Sequence, residues 1–242
     1  MFKTIIGFIK IGFYLIKTRP RLKIAKQLDK EGKIAERDEM VSLGVSEWAR
    51  VMVEIAGSTV EVIGEELIPQ DTAVVFVGNH QGYFDIPILL GFINKTKAFI
   101  AKIEILKVPI LSDWMLLMQC TFLDRKDMRQ SVRAMREAVE TVKKGYSLVI
   151  FPEGTRSKGG PVAEFKAGSF KLAIKAGVPI VPITIDGSWR IFEEKGKFIK
   201  SHVKVTIHPA IPLADLSRDE VAELPSRVQN IIASALPLTS KK

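Results

Sequence analysis

The stretch TAVVFVGNHQGYFDIP, residues 72–87, decides how the rest of this chain is interpreted. Residues 72–77 form an apolar run that predicts a buried strand. Residues 85–87 predict a helix start, because proline is tolerated in the first turn. Between these elements lie His80 and Asp85, and five residues of an ideal helix turn through about 500°, so the two side chains would not share a helix face. We expect instead a strand-to-helix turn that brings the carboxylate under the imidazole.

A neutral imidazole held by a carboxylate is a general base suited to pH 7. His80 and Asp85 are therefore the candidate catalytic pair. The alternative on this segment alone is that Asp85 only caps the helix and that His80 is an ordinary loop histidine.

Strand-like and helix-like runs alternate from residue 58 onward. The strand-like runs are 59–63, 73–77, 98–101, 121–123, 148–151, 180–185 and 203–207, and the helical ones are 86–93, 110–118, 129–144, 167–176 and a pair around Pro225. This alternation predicts an α/β fold with a mixed, largely parallel sheet of about seven strands covered by helices. We assign residues 58–242 to this domain.

Residues 1–57 predict a separate N-terminal element of two amphipathic helices. Seven of the basic residues that give the chain its net charge of +9 lie before Asp29, the first acidic residue (Lys3, Lys10, Lys17, Arg19, Arg21, Lys23 and Lys26). Residues 3–17 have a wide apolar face with a thin lysine edge, which is typical of a helix that lies in a membrane interface. We expect a monotopic anchor that binds membrane lipids and an anionic membrane surface. The alternative is a helix pair that packs on the core.

This first helix does not fit a transmembrane span or a secretory signal. Sixteen residues reach only about 24 Å, against a hydrocarbon core of about 30 Å. Lys10 interrupts the apolar stretch, and no small-residue cleavage site follows. The single cysteine, Cys120, excludes an intrachain disulfide framework and fits a reducing compartment. The expected location is the cytoplasmic face of the cell membrane, as a peripheral or monotopic protein.

Charged motifs fall at the predicted strand ends, where ligands of α/β sheets collect. The loop 151–157, FPEGTRS, follows one strand. Its Gly154 lets backbone N–H groups approach an anion, Thr155 offers a hydroxyl, and Arg156 offers a bidentate fork for phosphate. Glu153 is expected to hold a substrate hydroxyl or to orient Arg156. The alternative is a plain turn with a surface ion pair.

Two more basic residues, Lys102 and Arg125, follow other predicted strands, and with Arg156 they predict a phosphate clamp. Other chemistries are poorly supported. Three histidines and no Cys-x-x-Cys argue against a metal site, so we expect no metal and no cofactor. The basic cluster is interleaved with aliphatic rather than stacking aromatic residues, which argues against a nucleic-acid partner.

Four blocks of the sequence resemble the glycerolipid acyltransferases, the lysophosphatidic acid acyltransferase family. They are NHQGYFD at 79–85, FLDR at 122–125, FPEGTRS at 151–157 and VPITI at 181–185. The resemblance covers about residues 58–210. It implies acyl transfer from an acyl thioester, on acyl carrier protein or coenzyme A, to the sn-2 hydroxyl of 1-acylglycerol-3-phosphate, giving phosphatidic acid.

The resemblance also implies roles for the candidate residues. His80 takes the proton from the acceptor hydroxyl, and Asp85 holds its tautomer. Arg125, Glu153, Gly154, Thr155, Arg156 and Lys102 hold the glycerol phosphate. Two alternatives stay open: a relative that acylates another lysophospholipid or a lipid-linked acceptor, and a non-enzymatic basic protein that binds membrane or nucleic acid.

Overall fold

A seven-stranded sheet forms the centre of the molecule, in a computed structural model that describes residues 2–124 and 126–237. Its strands are β1 (Thr59–Ile63), β2 (Val75–Gly78), β3 (Lys97–Lys102), β4 (Thr121–Leu123), β5 (Ser147–Ile150), β6 (Ile180–Asp186) and β7 (His202–Ile207). Their order is β1-β7-β6-β2-β5-β3-β4. Only β6 and β7 pair antiparallel, so β6, β2, β5, β3 and β4 form a parallel block. The predicted mixed, largely parallel sheet is confirmed.

Within the described residues, eight α-helices surround the sheet in two layers. They are α1 (Phe2–Lys17), α2 (Arg19–Lys30), α3 (Ile34–Ile55), α4 (Asp85–Phe92), α5 (Leu111–Leu117), α6 (Met128–Lys143), α7 (Ala167–Ala176) and α8 (Arg218–Ser234). Helices α1–α5 contact one another, as do α6–α8. The β2-α4-β3 and β4-α6-β5 crossovers run in opposite directions across the sheet. Because such crossovers are right-handed, α4 and α6 cover opposite faces.

The central strands are buried on both faces, which explains their continuous apolar runs. Every residue of β2 and of β5 is buried. This is typical of parallel strands that are covered by helices on both sides. The two strands therefore hold the ends of their loops rigidly at one edge of the sheet.

The N-terminal region contains three helices where the sequence predicted two. The additional one, α2, has Pro20 in its first turn and buries Leu22 and Ala25. Six of its twelve residues are charged, so its low overall hydrophobicity, rather than the absence of an apolar side, hid this helix in the sequence. The long helix α3 packs on α4 and contributes Val41, Val45 and Val53 to the main hydrophobic core. The domain boundary near residue 58 and the membrane-binding role stay predictions.

Two further observations concern the helices. The predicted C-terminal pair is one helix, α8, which continues through Pro225 because Leu224, Val228 and Ile232 bury its apolar face. Among residues 2–124 and 126–237, no helix has the combination of length and apolar character that crossing a membrane requires.

Candidate active site

The predicted site residues gather at the carboxyl edge of the parallel strands. His80 follows β2, the loop 151–157 follows β5, and Lys102 ends β3. Because β2, β5 and β3 are adjacent and parallel, their carboxyl ends lie side by side. The sheet topology therefore brings together segments that are up to about 75 positions apart in the chain.

His80 and Asp85 form the expected pair. The imidazole Nδ1 lies 2.6 Å from Asp85 Oδ2. The Asp85 side chain is completely buried, whereas the His80 side chain retains 20% of its exposure. An ionised carboxylate can only accept, so Nδ1 carries the hydrogen and the second ring nitrogen, Nε2, can receive a proton.

Asp85 is held by four donors and does not act as a helix cap. Its Oδ2 also accepts hydrogen bonds from the backbone N–H groups of Gln81, at 2.7 Å, and Gly82, at 2.9 Å. Its Oδ1 accepts from the hydroxyl of Ser188. The residue before α4, Phe84, caps the helix without a side-chain hydrogen bond. The capping alternative is therefore wrong, and the carboxylate instead closes the turn that carries His80.

The end of β6 and the segment after it support this turn, and no pattern in the sequence predicted this contact. Gln81 Oε1 accepts from the backbone N–H of Gly187 at 2.9 Å and from the Ser188 hydroxyl at 3.3 Å. Asn79 exchanges two hydrogen bonds with the backbone of Ile185, at 2.9 and 2.8 Å. Only the pairing of β2 with β6 shows that Ser188 lies beside Asp85.

The loop after β5 supports His80 from the other side. The ring of Phe151 stacks on the imidazole with a centroid distance of 4.2 Å. Glu153 is buried and accepts from the backbone N–H of His80 at 2.6 Å and of Ala163 at 3.0 Å. Burial raises the pKa of Glu153 above its ordinary value, although these two N–H groups oppose the shift. Its predicted contact with substrate stays a prediction.

Arg156 is held by two residues that the sequence analysis did not select. Its Nη1 donates to Glu193 Oε1 at 3.1 Å, and its guanidinium carbon lies 3.6 Å from the centre of the Tyr83 ring. Glu193 is 4% exposed and also accepts from the backbone N–H of Tyr83 at 2.6 Å. The carboxylate that orients Arg156 is thus Glu193, in a loop after β6, where sequence reasoning had offered Glu153.

The other predicted phosphate ligands are more exposed. Lys102 pairs with Glu104 at 2.7 Å, and its side chain is 60% exposed. Thr155 is exposed, and Gly154 has a φ of +70°, a conformation that favours glycine. Arg125 lies outside the described residues. The phosphate-binding roles of these residues stay predictions.

A cavity of about 660 Å³ extends from His80 into the helical layer. Its walls are mostly apolar, with Phe8, Ile11 and Leu15 of α1 on one side and Trp114 and Met118 at the α5 end. His80 and Lys102 are among its few polar lining residues. Cys120 also lines it, and burial raises the pKa of its thiol to about 12, so the thiol is not a nucleophile at neutral pH. The cavity can accept a long apolar group with its reactive end at the imidazole.

Comparisons with known proteins agree with this geometry. The family model described as Acyltransferase matches residues 59–186. The 1-acyl-sn-glycerol-3-phosphate acyltransferase of Borreliella burgdorferi is 31% identical over 188 residues, which cover 77% of this chain and 75% of that protein.

The chloroplastic 1-acyl-sn-glycerol-3-phosphate acyltransferase BAT2 of Brassica napus is 38% identical over 191 residues. That alignment covers 77% of this chain but only 55% of the plant protein, so the chain spans about half the length of this relative.

A solved structure extends the similarity to the N-terminal helices. The crystal structure of the 1-acyl-sn-glycerophosphate (LPA) acyltransferase PlsC from Thermotoga maritima superposes with a TM-score of 0.74 at 29% identity. The superposition covers 94% of this chain and 95% of that one. The family model, the relatives and the shared architecture establish that this chain belongs to the acyltransferase family.

Proposed function

We propose that this chain transfers an acyl group from an acyl thioester to the sn-2 hydroxyl of 1-acylglycerol-3-phosphate. The observation that carries the proposal is the His80–Asp85 pair, whose imidazole lines a large apolar cavity. The family membership and the activities named for the relatives support the same reaction.

His80 acts as the general base. Its Nε2 accepts the proton of the acceptor hydroxyl while the hydroxyl oxygen attacks the thioester carbonyl. The C–S bond then breaks, and the imidazolium returns the proton to the departing sulfur, which leaves as the free thiol. Asp85 stabilises the imidazolium that forms, as a buried carboxylate does in a catalytic triad. The acceptor alcohol is itself the nucleophile, so the chain needs no covalent intermediate and no cofactor. General-base catalysis of this kind contributes about 10²- to 10⁴-fold.

The acceptor phosphate is bound by the basic rim of the site. Arg156 is the best-oriented member, because Glu193 and Tyr83 hold its guanidinium from two sides. Lys102 lies at the cavity mouth, at the end of the strand β3. A guanidinium binds phosphate through two parallel hydrogen bonds, which gives orientation as well as affinity. The clamp would set the acceptor hydroxyl opposite Nε2 of His80.

The apolar cavity accommodates an acyl chain. It is lined along one side by successive turns of α1 and along another by Trp48 and Met52 of α3. Burial of a hydrocarbon chain yields about 0.8 kcal/mol per methylene group, so this wall supplies binding energy that orients the reacting carbonyl.

The outer face of α1 would bind the membrane that contains the acceptor and the product. Phe2, Ile9 and Phe13 are 76%, 65% and 57% exposed, with Lys3, Lys10 and Lys17 on the same helix. Apolar side chains that are exposed beside lysines are typical of a helix in the interface of an anionic membrane. The inner face of the same helix lines the cavity, so the cavity would open close to the lipid headgroups.

Thiol release from an acyl thioester tests the reaction. We expect release by the wild type only when lysophosphatidic acid is present, and a loss of about 10⁴-fold in His80→Ala with an unchanged thermal midpoint. Release that does not depend on the acceptor would indicate a thioesterase instead. Release with another lysophospholipid alone would keep the chemistry but change the acceptor.

Vesicle sedimentation tests the membrane contact. The variant Phe2→Ser/Ile9→Ser/Phe13→Ser should lose most of its binding to anionic vesicles. The control Ile63→Ser/Ile174→Ser also removes exposed apolar side chains, but outside α1, and should bind like the wild type. Equal binding by both variants would contradict the role of α1.

A further inference from the structure

The first half of α6 carries an exposed basic surface that the proposed reaction does not use. This arginine face consists of Arg129, Arg133 and Arg136, with Met128 and Val132 beside them. The three arginines are exposed at spacings of four and three residues, so they share one side of the helix. Met128 and Val132 are 77% and 46% exposed. The opposite side of α6 is buried through Ala134, Ala138, Val139 and Val142.

The arginine face is not explained by the stability of the helix. The positive end of the helix dipole disfavours cations in the first turns, yet two arginines lie within the first six positions of α6. The acidic residue at this end is the N-cap Asp127, whose side chain accepts from the backbone N–H of Gln130. Within residues 2–124 and 126–237, none of the three arginines forms an ion pair. The acidic residues of the helix, Glu137 and Glu140, begin only after the arginine face ends.

The arginine face lies beside the site. The first turn of α6 is bonded to the end of β4, because Gln130 donates to Phe122 O at 2.9 Å and Ser131 donates to Asp124 O at 2.7 Å. The last residue of β4, Leu123, pairs with Lys102 at the cavity mouth. Since β2 and β4 are three strands apart, the ends of these two strands, which lead to His80 and to α6, are separated by about 14 Å along the sheet edge.

We propose, on the basis of the function proposed above, that the arginine face docks an acidic carrier protein that delivers the acyl group on a phosphopantetheine arm. Guanidinium groups form bidentate hydrogen bonds with surface carboxylates. The exposed side chains of Met128 and Val132 supply the apolar contact area that the centre of a protein interface usually has. An extended arm covers the separation between the carrier surface and His80. The acyl chain would then enter the cavity past Lys102.

The architecture favours a protein partner over the membrane at this surface. Helix α1, whose large apolar residues face outward, belongs to the helical layer on the other face of the sheet. A flat bilayer that contacts the outer side of α1 would meet one face of the molecule, while α6 covers the opposite face. The arginine face also has few apolar side chains for insertion into lipid.

Steady-state kinetics with two donors test the proposal. The triple variant Arg129→Gln/Arg133→Gln/Arg136→Gln keeps helix propensity and removes three charges. We expect its KM for palmitoyl acyl carrier protein to rise about tenfold or more, with kcat and the KM for palmitoyl coenzyme A within twofold of wild type. The control Lys200→Gln/Lys204→Gln/Arg218→Gln removes three exposed charges elsewhere and should behave like the wild type.

Several results would overturn the docking surface. An equal rise of KM for both donors would place the contact on the shared phosphopantetheine arm. A wild type that uses only the coenzyme A donor, or unchanged kinetics in the triple variant, would exclude carrier docking at this surface. Loss of binding to anionic vesicles in the triple variant, with unchanged donor kinetics, would assign the face to the membrane.

The proposed function fails in a different way. In that case the wild type would transfer from neither donor to lysophosphatidic acid. Interferometry with the holo carrier protein then measures docking without turnover. If the wild type binds the carrier and the triple variant does not, the result supports docking at the arginine face. If the wild type does not bind the carrier, the result contradicts it.

Discussion

The two halves of the site are built differently. The His80–Asp85 pair is held mostly by short backbone contacts. Besides His80 itself, the buried Asp85 accepts from the backbone N–H groups of Gln81 and Gly82 and from the Ser188 hydroxyl, and Glu153 accepts from the backbone N–H of His80. The basic rim depends on long side chains that remain partly exposed, with 26% exposure for Arg156 and 60% for Lys102. The His80–Asp85 half is therefore held in place before substrate binds, whereas the side chains of the basic rim can change conformation on binding.

This difference fits the separate tasks proposed for the two halves, the chemical step and substrate binding. A general base must meet its proton within hydrogen-bond distance, so a rigid turn is suited to the chemical step. A phosphate can be bound by several cations in more than one arrangement, so exposed arginine and lysine side chains suffice for binding. Substitutions in the rigid half should therefore lower kcat, and substitutions in the rim should raise KM.

The largest effect is expected for Asp85→Asn. The amide cannot stabilise the imidazolium, and the corresponding change in the serine-protease triad costs about 10⁴-fold in kcat. We expect a kcat loss of that order, measured by thiol release, with little change in KM. Ser188→Ala, which removes one of the four donors, is the matched smaller change and should cost about tenfold. A larger loss in Ser188→Ala than in Asp85→Asn would contradict the role of Asp85.

Arg156→Ala should affect binding. Loss of a charge-assisted hydrogen bond to phosphate costs about 1.5–3 kcal/mol, which corresponds to about a 10- to 100-fold rise in KM for lysophosphatidic acid. Activity toward monoacylglycerol, which lacks the phosphate, should change much less. Equal losses of activity with both acceptors would contradict the assignment of Arg156 to phosphate binding.

Glu193→Gln tests whether the orientation of Arg156 matters. In the variant, the amide oxygen takes the place of Oε1 and can still accept from the Tyr83 N–H. The amide nitrogen takes the place of Oε2, which has no hydrogen-bond partner among the described residues, so no existing hydrogen bond is lost at that atom. We expect a three- to tenfold rise in KM for lysophosphatidic acid, from loss of one partly buried charge pair. In an Arg156→Ala background, Glu193→Gln should have little further effect on this KM, because the effects of substitutions at two contacting residues are not additive.

Lys97→Met tests the scaffold beneath the rigid half through pH. Lys97 is buried and donates to Leu89 O and Ile93 O at 2.9 Å each, at the end of the helix that begins with Asp85. Burial lowers the pKa of Lys97 to about 7, so between pH 7 and about 10.4 the unfolded chain binds more protons than the folded one. The free energy of unfolding of the wild type should then rise with pH relative to Lys97→Met, by up to about 1.4 kcal/mol per pH unit. Urea denaturation at pH 7.5 and 9 measures this difference, and the exposed Lys107→Met should show none.

Much of the fold follows from local patterns in the sequence. All seven strand-like runs overlap observed strands, because buried parallel strands are continuous apolar runs between polar loops. Helices were predicted less completely where charged residues or a proline interrupt the apolar pattern. Helix α2, half of whose residues are charged, was missed, and α8 was divided at Pro225.

The sequence by itself determined the contact between His80 and Asp85, because both residues belong to a single turn whose geometry is local. It also determined which strand ends carry charge. Only the tertiary structure decided the partners of those residues. Ser188 and Glu193 reach the site through β6, about 105 to 110 positions from the turn that they support, and no local period encodes such a contact. The cavity is likewise a product of packing, since its walls come from α1, α3 and α5, which are brought together only by the tertiary fold. Local geometry is set by neighbouring dihedral angles and hydrogen bonds, whereas contacts between distant segments depend on how the whole sheet is ordered.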